Sequence, residues 1–226
     1  MRFLTFAWDW ITSSHQWHGS DSIQFRLLEH LGYTGLSLLV AALIAVPVGL
    51  LIGHRRRGGL VAVNAANIGR AVPTLGLVVL VAVLSRLSAA SWLIPLVVLA
   101  IPPILVNTYV GVAGVDPELT DAARGMGMTR WQLLWKVEVP VALPLILLGL
   151  RTAAIFVVAT ATIAAYPGLG GLGRYIIDGL ASDNYGEVAG GAAVIVVLAL
   201  VIQAVFAGLR RLVVPRGLRL QGRGSR

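Results

Sequence analysis

Cysteine is absent from the sequence, so neither a disulfide framework nor thiolate chemistry is available, and the redox state of its compartment leaves no mark. Lysine is nearly absent: Lys136 is the only one, and Trp135 rather than glycine precedes it. That removes a G-x-x-x-x-G-K-[ST] phosphate cradle, so any ATP driving a system that contains this chain is bound by another polypeptide. Charge is scarce as well, at 12% of residues against about 25% in soluble domains. The 10 acidic residues and 4 histidines all fall outside the long apolar runs. Paired acids or a nucleophile–base set for an intramembrane enzyme are therefore missing, and no catalytic residue is expected.

What remains is apolar. Hydrophobic residues form 57% of the 226, and the mean hydropathy is +0.84. A hydrocarbon core of about 30 Å takes roughly 20 helical residues to cross. Leu31–Gly53 holds 23 residues without a charge, and Arg55, Arg56 and Arg57 follow at once. Residues 60–84 are apolar except for Arg70, with Pro73 three residues on; a second span with a less regular or interfacial first part is expected there. Residues 92–115 carry Pro95, Pro102 and Pro103 and no charge, which predicts a kinked third span. Residues 143–165, with Arg151 inside, and 188–209 supply the fourth and fifth. The expectation is an all-α polytopic membrane protein with about five transmembrane helices. No long-period internal repeat is visible, which counts against an inverted-repeat secondary transporter.

The net charge is +8, which in a soluble chain would point to nucleic acid. Placement argues otherwise, because the arginines cluster beside apolar spans. Five spans put Arg55–Arg57, the 116–138 loop (Arg124, Arg130, Lys136) and the tail (Arg210, Arg211, Arg216, Arg219, Arg223, Arg226) on one face, with 12 of the 18 basic residues. The positive-inside rule makes that face cytoplasmic and the N-terminus external, and anionic lipid rather than nucleic acid is the expected partner of these charges. Residues 1–30 then form an external segment, 31–209 the transmembrane domain, and 210–226 a basic cytoplasmic tail. Met1–Ile11 is not expected to be a cleavable signal, since Asp9 cuts its apolar run and no small-residue cleavage site follows closely.

The cytoplasmic loop has a definite expected shape. Asp116 can cap a helix opened by Pro117 and Glu118. That helix passes through Asp121, Ala122 and Ala123 and stops or turns at Gly125 and Gly127. Thr129 with Gln132 forms a capping box for a second short helix, ended by Pro140. An interfacial amphipathic helix with aromatic anchors would explain Trp131 and Trp135, but not the ordered spacing of alanines and glycine.

That spacing resembles the cytoplasmic motif of bacterial ABC-importer permeases: Glu-Ala-Ala, three residues, Gly, nine residues, an aliphatic, one residue, an aliphatic, Pro. Here Asp121-Ala122-Ala123, Gly127, Val137, Val139 and Pro140 match every spacing, with Asp in place of the usual Glu. The resemblance implies a type I ABC-importer permease fold, with loop 116–140 as the coupling helix that sits in a groove of the ATPase subunit. Asp121, Ala122, Ala123, Gly125, Gly127 and Pro140 would carry that contact. The stretches 70–75, 107–109, 149–153 and 168–173 are similar to permeases of osmoprotectant importers, which move glycine betaine, choline, carnitine and related quaternary ammonium solutes. The resemblance covers residues 33–209. It implies a location in the bacterial inner membrane, ATPase subunits that hold ATP and Mg, a second permease chain, identical or paralogous, and an extracytoplasmic binding protein, with no cofactor on this chain. Pro73, Asn107, Tyr109 and Tyr166 are the candidates for the translocation path; Tyr109, Tyr166 and Tyr175 could meet a quaternary ammonium by cation–π contact or equally serve as anchors at the membrane interface. An ion-coupled carrier or channel for a small solute is the alternative, which ATP-independent transport would reveal.

Other motifs are discounted. Gly168–Gly173 fits G-x-G-x-x-G, but a dinucleotide fingerprint follows a strand and opens a helix, whereas this one joins two spans on the outer side as a turn or re-entrant corner. His15 and His18 read as solvated, and no metal site is expected. Arg70 and Arg151 read as structural, because a bare guanidinium on the path would repel a cationic solute. Gly49–Gly53 and Gly186–Gly190 are spaced for close packing between helices.

Overall fold

The computed structural model describes residues 2–86, 88 and 90–213, leaving aside the side chains of 2–4, 61, 63, 65, 66, 68, 70 and 90. Arg216, Arg219, Arg223 and Arg226, and the side chains of Arg2 and Arg70, lie outside the described residues. Every regular element among those described is helical: α1 (Arg2–Thr12), α2 (Ile23–His54), α3 (Gly59–Ala71), α4 (Thr74–Leu84), α5 (Ala90–Ala113), α6 (Pro117–Gly125), α7 (Arg130–Leu133), α8 (Val139–Ile163), α9 (Gly173–Ala181) and α10 (Tyr185–Val213).

Among the described residues, four helical stretches are long and apolar enough to cross a membrane: Ile23–His54, Ser91–Ala113, Arg130–Ile163 and Tyr185–Val213. The expected second span is divided into α3 and α4. Pro73 has no N–H to give and its ring pushes Val72 out of the helical region; Pro73 itself sits at φ −67°, ψ 110°. The first long helix starts earlier than a charge-free window suggests. Ser22 caps it, accepting from the Phe25 N–H at 3.4 Å, and Arg26 pairs with Glu29 one turn on, so charges enter the helix in mutual contact. His30 is in turn fully buried rather than outside the helix, its Nε2 3.2 Å from Val158 O.

Pro140 does not end the second loop helix. Between α7 and α8 the chain takes one wider π turn, Leu134–Glu138, in which the Val139 N–H reaches back five residues to Leu134 O. The wider turn accommodates a proline whose N–H is missing from the ladder, and the helical path continues to Ile163.

The chain divides into two compact units, one of Met1–Val40, Val72–Ala100 and Ala154–Ile202, the other of Ala41–Ala71, Ile101–Ala153 and Gln203–Arg226. The first is centred on Trp10, Ile23, Val158, Leu172, Tyr175 and Leu198. Trp10 meets Tyr175 edge-on at 4.9 Å, and the close approach requires glycine: a Cβ on Gly190 would enter the Trp10 ring, and one on Gly191 would press on Tyr175. Gly186, the other member of its spaced pair, meets no other helix. The second unit is centred on Leu50, Val112, Ala142 and Ile146. There the spaced pair works as expected, Gly49 against Thr108 and Gly53 against Val112, with a Cβ brought to 2.7 and 2.8 Å. Bulk at either glycine would force α2 and α5 apart.

Candidate coupling segment and translocation path

Loop 116–138 is built by its own sequence. The Asp116 carboxylate accepts from the Glu118 N–H at 2.9 Å, with Pro117 at the first helical position. At the other end of α6 the Gly127 N–H bonds Arg124 O and the Met128 N–H bonds Ala123 O. Those two bonds are a Schellman closure, and it requires a left-handed residue at Gly127, whose φ is +82°. Gly125 needs no such freedom: its φ is not positive, and open space surrounds a Cβ placed on it. Thr129 and Gln132 then exchange the reciprocal bonds of a capping box at 3.3 and 2.9 Å, starting α7.

The expected contact residues divide by exposure. Asp121, Ala122, Gly125 and Gly127 face outward, while Ala123 is buried. Asp121 is held by Arg124 at 3.2 Å, an exposed pair of little energetic consequence. Pro140 lies in the first turn of α8 and is half-buried. Three further side chains are prominent: Met126 is 73% exposed, and Trp131 at 68% meets Trp135, the other aromatic of the amphipathic pattern, edge-on at 5.5 Å. Helical spacing places Trp131 and Trp135 on one face already in the sequence, whereas nothing local marks Met126.

What the sequence does not reveal is how the loop is tied down. Arg56, with φ +49°, donates from Nη2 to Val115 O at 2.9 Å, at the loop's beginning. His54 Nδ1 lies 2.6 Å from Glu138 Oε2, at the loop's end, and Glu138 is only 3% exposed. The last residue of α2 and the arginine two positions beyond it thus hold the two ends of the loop.

The four path candidates are not gathered by any such bonds. Asn107 donates from Nδ2 to Pro103 O in its own helix at 2.7 Å, and its Cβ covers Gly149. The Tyr109 hydroxyl covers Gly59. Pro73 is exposed at the break before α4, and Tyr166 is 62% exposed. Arg151 is half-buried within α8.

The glycine-rich stretch is a turn, with Gly168 at φ +94° and Gly171 at +86°. Glu29 Oε2 accepts from the Gly171 N–H at 2.9 Å, and a Cβ on Gly170 would collide with that carboxylate. Beyond the turn, the Tyr175 hydroxyl donates to Asp21 O at 2.6 Å. Burial pushes the Tyr175 phenol up to about 12. His15 and His18 are exposed, and no group of three metal-ligating side chains occurs among the described residues.

Residues 45–218 match the family described as the binding-protein-dependent transport system inner membrane component. The chain belongs to this family. It is thus a multi-pass inner-membrane transport subunit, and ATP hydrolysis falls to a separate partner. Among curated relatives of this permease, the glycine betaine/carnitine/choline transport system permease protein OpuCB of Bacillus subtilis (strain 168) is 34% identical over 86% of this chain and 89% of its own length. The carnitine transport permease protein OpuCB of Listeria monocytogenes is 34% identical over 84% of this chain and 88% of its own. The osmoprotectant import permease protein OsmW of Salmonella typhimurium is 32% identical over 84% and 91%. A solved inward-facing MetNI methionine ABC transporter superposes with a TM-score of 0.70 at 26% identity, covering 83% of this permease and 94% of that chain. The fold is that of a type I ABC-importer permease.

Proposed function

We propose that this permease forms the membrane path of an ATP-driven importer for osmoprotectants, namely glycine betaine, carnitine, choline or related quaternary ammonium solutes. Relatives bearing those substrates in their names, aligned over most of both chains, carry the reading. Loop 116–140 is the part that meets the ATPase subunits, where ATP and Mg are bound. Its outward residues Asp121, Ala122, Gly125 and Gly127 make the contact, Ala123 packs behind them, and Pro140 sets the wide turn at its root. Two permeases, identical or paralogous, enclose the path, and an external binding protein delivers solute. The N-terminus lies outside, residues 1–30 on that side, with the loop and the 210–226 tail in the cytoplasm. Helices α3 and α4 together make one broken crossing, within a transmembrane domain of residues 31–209. Pro73, Asn107 and Tyr109 are proposed for the path from the family resemblance, and Tyr109 and Tyr166 from the affinity of an aromatic face for a quaternary ammonium.

The mechanism is conformational and involves no covalent step in this chain. ATP closes the ATPase pair, the loop is displaced with it, and the clamps His54–Glu138 and Arg56–Val115 pass the displacement to α2. Proteoliposomes holding the assembled importer test this through uptake of labelled glycine betaine and choline with and without internal ATP. Gly127→Asp is expected to abolish ATPase association or solute-stimulated hydrolysis, since φ +82° disfavours any side chain and the turn faces outward. Uptake that persists at full rate without nucleotide and follows an ion gradient would instead establish a secondary carrier.

A further inference from the structure

The residues that clamp the loop flank a hollow. Arg55 and Arg57, on either side of Arg56, line a cavity of about 790 Å³ together with Arg124 and Arg130 of the loop. Negative charge there is thin: Asp121 is committed to Arg124, and Glu138 to His54, which also reaches the cavity wall. Arg55, Arg57 and Arg130 have no ion pair among the described residues. Four guanidinium groups around one space repel one another, and their forked donors match the oxygens of a phosphate.

The rest of the lining is apolar, Met128 and Leu133. Both walls grow directly from membrane-crossing helices. Arg55 and Arg57 follow α2, while Arg130 and Leu133 open the stretch that runs to Ile163. The cavity thus lies where apolar runs give way to charge, the depth of lipid phosphates. Of the outward stretch 121–127, the part best placed to meet another protein, the lining includes Arg124 alone.

We infer that this cavity binds the phosphodiester headgroup of an anionic phospholipid, with Met128 and Leu133 against the glycerol and upper acyl carbons. The inference rests on the orientation proposed above and goes beyond it, replacing diffuse attraction of arginines to a charged surface by one defined site. A bound headgroup would touch both the segment after α2 and the loop, adding a third tie beside the two clamps.

The test is retention of phosphatidylglycerol by the full chain, transferred from mixed phosphatidylglycerol–phosphatidylcholine vesicles and measured by native mass spectrometry. The native chain is compared with R55Q/R57Q/R130Q, with Met128→Trp, which fills the space and leaves every charge, and with R216Q/R219Q/R223Q in the tail. Retention is expected to fall at least about tenfold in the first two, as the loss of paired phosphate contacts implies, and to survive in the tail variant. Inorganic phosphate at millimolar concentration should not displace the lipid. Equal retention in native and cavity variants would overturn the site, and displacement by inorganic phosphate would make it a free-anion site instead. Unchanged lipid retention with lost ATPase co-purification in R55Q/R57Q/R130Q would make the cavity a peptide-docking surface. Equal retention with ATPase co-purification intact would remove the lipid site while leaving the permease reading in place.

Discussion

Two turns in this chain, one around Gly127 and one around Gly171, both depend on a glycine at positive φ, yet they are secured in opposite ways. Around Gly127 the bonds close within five residues: Asp116 to Glu118, Arg124 to Gly127, Ala123 to Met128, Thr129 with Gln132. Around Gly171 the securing groups come from far away, Glu29 at a separation of 142 residues and, just beyond, Asp21 to Tyr175 at 154. The first turn carries its shape within its own sequence; the second acquires its shape only when α2 is packed. The candidate coupling segment combines both kinds, since its interior is local while its two ends are held by His54 and Arg56 at separations of 84 and 59 residues.

Breaking the buried tie between His54 and Glu138 is expected to have the largest effect. Glu138→Leu leaves His54 without its partner and should lower stability by about 2–3 kcal/mol, discounted because His54 keeps some access to water. Thermal unfolding in micelles checks this, and His54→Leu combined with Glu138→Leu should recover most of the loss. A double variant as unstable as the sum of the singles would show that the pair is not a clamp. Next in size, Gly127→Ala should cost about 1–2 kcal/mol for a Cβ in the left-handed region. Gly125→Ala, two residues away in a helical and open position, should instead gain about 0.5–1 kcal/mol. Similar losses at both positions would remove the contrast between them.

Local caps come third. Asp116→Ala and Thr129→Ala should each lose about 1 kcal/mol, read as faster amide exchange confined to α6 and α7. Exchange that spreads into the long helices would mean that the loop is not locally built. The smallest effect concerns Tyr175. Its phenol is held at about 12 by burial, above the unfolded value of about 10. A raised pKa means that the folded state favours the protonated phenol, so this contribution is full below about pH 10 and is lost as pH rises towards about 12. Absorbance titration near 295 nm should show one tyrosine ionising last, and Tyr175→Phe should remove that phase and cost about 1 kcal/mol at neutral pH.

Both capped helix starts of the loop and its glycine closure were legible from residue order, because capping chemistry acts over two to five positions. So were the long apolar helices and the Gly49–Gly53 contact, which follow from composition and spacing. Three features were not. A window that counts uncharged residues stops at Leu31, whereas paired Arg26 and Glu29 let α2 begin at Ile23. Pro140 reads as a terminator in one dimension, whereas the π turn lets the helix pass through it. The burial of Glu138 and His30 depends on partners brought near only by folding, and no local pattern announces that. The path candidates came from resemblance and from the chemistry of tyrosine with cations; Asn107 bonds Pro103 O in its own helix, and the Tyr109 hydroxyl lies over Gly59.

The π turn at Leu134–Glu138 has a consequence for phase. Each residue of an α-helix advances about 100° around the axis, so one additional residue wound into a turn offsets everything before it from everything after. Leu133, Leu134 and Glu138 all lie on the buried side, and it is the offset that lets a five-residue separation share one face. Trp131 thereby keeps a bearing relative to α8 that an unbroken helix would not give it. The join between α7 and α8 therefore sets an angle: side chains before the turn and after it keep a phase relation that neither an unbroken helix nor a loop would give.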